Sequence, residues 1–391
     1  MNPLGLARSV EDYAIKMRRM IHKNPELSFK EIETTALIVQ ELHDLGLEVI
    51  HWEDFPGAVG ILRGSKSGPT IGLRADIDAL PIQEETDVPF KSKNPGVMHA
   101  CAHDAHTAIL LAVAKLLSKE KDQIAGNVKF IFQPAEETPP GGALTLIQKG
   151  VLENPKVDML FALHHATENK CGDIGVHYGQ FLAAADQFSL TLTCKGGGGS
   201  APHKGVDGIP IAAEIILALH VMMTRQVDPV LSALISFGTI NAGTKFNILA
   251  DRVTMTGTCR SLDPGISQRF PDMILKVAQG IASTYDSKVE LQYDRGYPAL
   301  VNDSKATALI ESAAIEAVGQ DHVKPATAIM AGDDLAYFLQ KVPGSYIWLG
   351  ITPETGIISP AHTAKFDIDE KSLATGIAVM YTTVHKALQE L

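Results

Sequence analysis

Cysteine is scarce in this chain, with four residues in 391: Cys101, Cys171, Cys194 and Cys259. So few thiols cannot form a disulfide framework at this length, and a reducing, cytoplasmic compartment is expected. Positive charge is also in deficit, with 34 Lys and Arg against 45 Asp and Glu and a formal net charge of −11. Acids and bases are interspersed and no basic run interleaves with aromatics, so no nucleic-acid surface is expected. No uninterrupted apolar stretch reaches the ~18–20 residues that a membrane-spanning helix needs. The opening stretch MNPLGLARSVEDYAIKMRRM spreads its charges along an amphipathic helix without an apolar signal core. No membrane association is expected.

What is present is ample apolar content, 45% of the residues, over a length that exceeds what one hydrophobic core organises. Two domains are therefore expected. The first part alternates helical and strand-like patterns, with helices over 8–22 and 31–45, strands at 48–52, 57–64 and 70–77, and a helix from His103 to about Leu117. Buried strands follow at 127–133 and 159–165, with a short helix near 141–150 between them. Apolar strands alternating with helices predict an α/β layer fold with a covered sheet.

The middle changes character. From about 184 the order is strand 187–195, a glycine-rich loop, helix 207–226, strands 231–240 and 252–262, helix 265–285 and strand 288–295. This βαββαβ unit reads as an insertion. The α/β texture resumes with a helix at 303–317, a strand at 344–350 and a closing helix over 370–389. The predicted division is a catalytic domain of 1–183 and 297–391 interrupted by a smaller domain of 184–296.

Candidate chemistry sits in four short motifs at the ends of apolar runs. Cys101 and His103 lie in HACAHDAHT, Glu136 and Glu137 in FQPAEE, His164 in FALHH, and His362 in SPAHTAKFD. A thiolate, imidazoles and carboxylates converging from strand ends suit a borderline-soft divalent ion with an open position for water. Read alone, Cys101 and His103 could equally be a buried thiol and a capping imidazole; the other motifs favour ligation. Two adjacent carboxylates ending an apolar strand need a compensating cation or proton. On an extended end they point in different directions, so one can ligate metal while the other acts as general base. Asp76 and Asp78 in RADIDALP form a further acidic strand end, suited to orienting a ligand imidazole. His99 and His106 flank the Cys–His pair and are read as supporting residues. His165 should face away from the side that His164 faces. The run KGGGGSAPHKG superficially matches a dinucleotide fingerprint, but Pro202 and Gly205 break the helix that should begin there.

RMIHKNPELSFKE (19–31), RADIDALPIQE (74–84), MHACAHDAHTA (98–108), FQPAEE, FALHH, KFNILADRVTMTGTCRSLD (245–263), AGDDLAYFLQKVPGSYIWLG (331–350) and AHTAKFDIDE (361–370) carry a likeness across essentially the whole chain. Together they resemble the metal-dependent amidohydrolases that include hippurate hydrolase, auxin-conjugate amidohydrolases, aminoacylases and N-acetyldiaminopimelate deacetylase. The resemblance implies a zinc-peptidase-like α/β catalytic domain with an inserted ferredoxin-like lid that also mediates dimerisation. It implies a small-molecule N-acyl amino acid substrate, a homodimer or higher homo-oligomer, and two divalent ions per subunit, zinc or manganese, with cobalt or nickel admissible. By motif, Cys101, His103, Glu137, His164 and His362 take the ligand positions, Glu136 that of the general base and Asp78 that of the supporting acid. Asn247 and Arg260 take substrate-facing positions.

Three positions depart from the family pattern. Gly198 stands where a lid histidine is expected to donate to the developing oxyanion, Ala102 replaces a usual Gly, and Asp333 stands where Glu is common. Loss of the Gly198 donor leaves room for a slow enzyme, or for a paralogue that binds metal and ligand without turnover. A cysteine-nucleophile hydrolase built on Cys101 is a further alternative, which leaves the two strand-end glutamates unexplained.

Overall fold

The computed structural model describes residues 2–391. The chain forms two compact units: one is the chain up to Gly179 with Val301–Thr327 and Tyr337–Leu391, the other Gln180–Leu300 with Ala328–Ala336. The boundaries expected at 183/184 and 296/297 compare with 179/180 and 300/301. Sequence patterning gave no sign that 328–336 groups with the insert. The backbone explains it, since Ile329 N donates to Phe181 O at 3.1 Å and Ala183 N to Ala331 O at 2.9 Å.

The first unit is built on an eight-stranded mixed sheet. Its order is Glu48–His51, Ala58–Arg63, Ala125–Gln133, Lys66–Asp76, Met159–Lys170, Gly344–Thr352, Ile174–Val176 and Val323–Pro325. The four central strands, from Ala125–Gln133 to Gly344–Thr352, run parallel. Strands covered on both faces need apolar side chains at every position rather than at alternate ones. The last seven residues of Lys66–Asp76 are all buried, with the charged Arg74 and Asp76 paired to each other at 2.7 Å. Helices His103–Ser118 and Ser372–Glu390 are buried over nearly their full length within the same core, which joins Leu73, Ile109, Phe130, Phe161, Ile347 and Ile377. In open α/β sheets ligands collect beyond the carboxyl ends of parallel strands. Asp76 ends strand Lys66–Asp76 and Glu136 follows Ala125–Gln133, whereas His164, expected to close its strand, lies midway along Met159–Lys170.

The second unit has a four-stranded antiparallel sheet in the order Ala233–Ala242, Arg252–Ser261, Ala184–Thr193 and Lys288–Tyr297. With helices Gly208–Gln226 and Pro264–Thr284 this is the βαββαβ arrangement. Residues of Ala184–Thr193 alternate between buried and more exposed, as a sheet with one packed face requires. Asp207 and Asp263 cap the two helices by accepting the amides of Ile209 and Ile266. Gly208–Gln226, 19 residues long, is by length and composition apolar enough to cross a membrane, although Glu214, His220 and Arg225 interrupt its apolar run. Its Ile211, Ala212, Ile215, Leu219 and Met222 instead line this unit's core.

Candidate metal centre

Among the described residues, three of the six non-glycine positions with positive φ flank or form the candidate site: Ala102 (φ 52°), Ala135 (φ 58°) and His362 (φ 62°). Left-handed backbone at a residue with a Cβ costs on the order of 1 kcal/mol, and such strain collects at functional sites. Ala102 turns the chain between Cys101 and His103 and leads into helix His103–Ser118. Glycine would take this conformation freely, and alanine takes it at modest cost. Ala135 sets the direction of Glu136 and Glu137. The amide of His362 donates to Ala100 O at 2.8 Å, tying two of the motifs together through the backbone.

The side chains converge. Cys101 Sγ lies 3.6 Å from His164 Nε2 and 3.4 Å from His362 Nε2. Glu137 Oε1 is 3.2 Å from His362 Nε2 and 4.0 Å from His103 Nε2. Donor atoms of Cys101, Glu137 and His362 fall within 4.8 Å of one another, as do those of His103, Glu136 and Glu137, and those of Cys101, His164 and His165. Cys101 and Glu137 are each shared between two of these groups, which suits two adjacent ions better than one.

Hydrogen bonds fix which ring nitrogens are free. His103 Nδ1 donates to Asp78, whose carbonyl O is at 2.9 Å and Oδ1 at 3.1 Å, leaving Nε2 as a lone-pair donor. His164 Nδ1 donates to His165 O at 2.9 Å and so presents Nε2 toward Cys101. His106 has both nitrogens engaged, Nδ1 on Asp76 Oδ1 at 2.6 Å and Nε2 accepting His165 N at 3.1 Å. It supports the site rather than joining it. His165 is buried against His106 and Phe366. His103 Nε2 is buried without a hydrogen-bond partner, 4.0 Å from Glu137 Oε1. Buried polar atoms are rarely left so, and a cation between the two would engage both. The donor set therefore fits divalent ions.

The electrostatics agree. Burial, then Glu137 and Glu136, pushes the Cys101 thiol well above its ordinary range. Without a cation Cys101 is a poor nucleophile, which counts against the cysteine-hydrolase reading. Burial opposes charge on His103, but Asp76 and Asp78 outweigh it and lift the imidazole to about 10, so in the metal-free chain Nε2 carries a proton that a bound ion would displace. Burial and neighbouring histidines push His164 and His165 well below the usual range. Around these groups Arg18 pairs with Asp104 at 3.1 Å, and His22 with Asp104 at 2.8 Å and Glu84 at 3.3 Å. Sequence reading missed this network, together with Ser28 and Glu31; its partners lie 62 to 86 residues apart, beyond any local pattern.

The remaining candidates belong to the second unit. Gly198 is exposed and pairs with Ile248, while Gly199 N donates to Asn247 O at 2.9 Å. A Cβ built on Gly198 meets nothing within 4 Å and its φ lies outside the left-handed region, so the backbone does not demand glycine. Asn247 is exposed. Arg260 Nη1 contacts Thr258 Oγ1 and the Cys259 carbonyl. Asp333 is buried and accepts Leu335 N at 2.7 Å.

A match to the family described as Peptidase family M20/M25/M40 spans residues 72–386. The chain is 41% identical over 373 residues to Thermostable carboxypeptidase 1 of Saccharolobus solfataricus, covering 94% of each. It is 36% identical over 387 residues to N-acetyl-L-cysteine deacetylase of Bacillus subtilis, covering 99% of this chain and 91% of that one. Among solved structures it resembles a dinuclear metal-binding peptidase of family M20 from Bacillus subtilis, with TM-score 0.86, 32% identity, and coverage of 98% and 100%. With the matched region running from the first acidic strand end past His362, the chain belongs to peptidase family M20/M25/M40 and is a metal-dependent amidohydrolase.

Proposed function

We propose that this chain hydrolyses the amide bond of N-acyl amino acids. Cys101, His103, Glu137, His164 and His362 would hold two divalent ions, with Glu136 as the general base and Asp78 fixing the His103 ring. The supporting observation is a donor set sharing Cys101 and Glu137, in which His103 Nε2 is buried without a hydrogen-bond partner. Thiolate and imidazole favour zinc, while the carboxylates also admit manganese, cobalt or nickel. When bound, such ions polarise the scissile carbonyl and make water a stronger nucleophile at neutral pH.

The chain's own groups do the rest. Glu136 accepts the proton of the attacking water and passes it to the leaving nitrogen as the C–N bond breaks. Asp78 holds the His103 tautomer through Nδ1. Asn247 and Arg260 are assigned to the carboxylate of the amino-acid half, for which a guanidinium is suited by its paired donors. The working form is taken to be a cytoplasmic homodimer or higher homo-oligomer.

A second reading rests on Gly198: without a side-chain donor the chain binds metal and ligand but turns over slowly or not at all. Metal analysis of purified protein, coupled to a screen of N-acetyl, N-benzoyl and long-chain N-acyl amino acids, tests both. Two ions per chain with chelator-sensitive hydrolysis is expected. Failure to take up zinc, manganese or cobalt, or hydrolysis that survives chelation, overturns the metal reading. Metal uptake without hydrolysis selects the second.

A further inference from the structure

The turn between helices Glu11–Lys23 and Ile32–Asp44 supplies no atom to the donor groups, yet it touches the loops that do. Ser28 Oγ donates to Asp78 Oδ2 at 2.7 Å and accepts from Thr138 Oγ1 at 3.0 Å. The same Asp78 Oδ2 accepts Glu137 N at 3.0 Å, while Asp78 Oδ1 receives His103 Nδ1 at 3.1 Å. One carboxylate thus fixes a ring and a backbone amide, and Ser28 fixes the carboxylate. Three residues on, the fully buried Glu31 accepts Ala135 N through Oε1 at 2.7 Å. Ala135 is the left-handed residue immediately before Glu136 and Glu137.

The turn is itself anchored. Glu26 accepts the amides of Ile32, Glu33 and Thr34 at 3.1, 3.0 and 2.8 Å, capping the following helix. Its carbonyl accepts Ala79 N at 2.8 Å, next to Asp78. A turn bonded on both sides can transmit position. A freely mobile one cannot.

We infer that Ser28 and Glu31 are positioning residues of the metal site. Ser28 sets His103 and Glu137 through Asp78; Glu31 sets Glu136 and Glu137 through the Ala135 amide. This rests on the proposed function for what the site holds. Groups that orient metal ligands are worth about 10- to 100-fold in metal affinity.

The test is zinc affinity of the chelator-stripped full chain, measured by competition with a chromophoric chelator, with thermal midpoints in parallel. Ser28→Ala is expected to weaken zinc binding about tenfold, and Ser28→Thr, which keeps the hydroxyl, by less than about threefold. In an Asp78→Asn background Ser28→Ala should add little, because its route is already cut. Glu31→Leu should weaken binding about tenfold or more, whereas Glu31→Gln, which keeps an acceptor for Ala135 N, should stay within about threefold. Wild-type affinity in Ser28→Ala, or an equal loss in both backgrounds, overturns the inference; if Glu31→Leu does not fold, the Ser28 series decides. A purely structural role would lower the midpoint and leave affinity intact. Wild-type protein that takes up no zinc overturns the proposed function and this inference with it, while wild-type uptake with unchanged variants overturns this inference alone.

Discussion

The strand-end cluster of the first unit and the 196–250 region of the second are built by opposite rules. In the first, Cys101, His103 and Glu136 are buried, and ring nitrogens, amides and a capping turn over-determine where donors point. In the second, Gly198 and Asn247 sit on exposed backbone held by the two-residue pairing of Gly197–Gly198 with Ile248–Leu249, and Phe246 is 96% exposed. Bond-making chemistry needs geometry fixed to fractions of an ångström, which only a dense network supplies. Recognition surfaces tolerate, and use, lower local stability.

The largest effect should come from emptying the rigid site. Dialysis against a chelator is expected to abolish turnover on whichever N-acyl amino acid proves best, and zinc or manganese to restore it, followed by a steady-state assay. Next comes Glu136→Gln, which keeps shape but removes the proton acceptor: kcat should fall about 10²- to 10⁴-fold, with two ions still counted by elemental analysis. Loss of metal along with activity would instead place Glu136 among the ligands.

The exposed region is expected to respond in the other direction. A Cβ at position 198 meets nothing within 4 Å, and in Gly198→His a donor supplied to a developing oxyanion is worth about 10²- to 10³-fold in kcat. Unchanged kcat and kcat/KM in that variant would show that the missing donor does not matter here, and would remove the reason to regard this chain as impaired.

How much of this was readable beforehand follows the same division. Every long central strand and helix was legible, because apolar-rich runs such as Met159–Leu163, or helical spacing over three turns, leave little ambiguity. Strands Ile174–Val176 and Val323–Pro325 were not, since three residues are too few to display a period. The ligand candidates were read as Cys, His and Glu at the ends of apolar runs, although the strand that holds His164 continues to Lys170. Their supports were not: Ser28 lies 50 residues from Asp78 and Glu31 104 residues from Ala135, distances that only the folded sheet closes. His106 is an intermediate case: it was read as a supporting residue flanking the Cys–His pair, and hydrogen bonds to Asp76 and from the His165 amide occupy both of its ring nitrogens.

The smallest predicted effect tests whether rigidity carries a price in stability. In the metal-free chain, burial and then Asp78 raise the Glu31 carboxyl from 4.5 to about 8, against the lowering pull of amides including that of Ala135. Between those two values the native state holds a proton that the unfolded chain has released, so stability must fall as pH rises through this window and level off above it. Glu31→Gln cannot ionise and keeps an acceptor for Ala135 N. Urea unfolding with chelator present should therefore give similar midpoints for wild type and Glu31→Gln near pH 5, with the variant ahead by on the order of 1–3 kcal/mol at pH 8.5. Asn247→Ala in the exposed region serves as the control and should stay within about 0.5 kcal/mol of wild type at both values. Parallel pH profiles for wild type and Glu31→Gln would mean that Glu31 is ionised in the folded chain. The Ala135 amide would then be held by a full charge, and the first unit would owe its fixed geometry to an ion at this position rather than to a buried neutral acid.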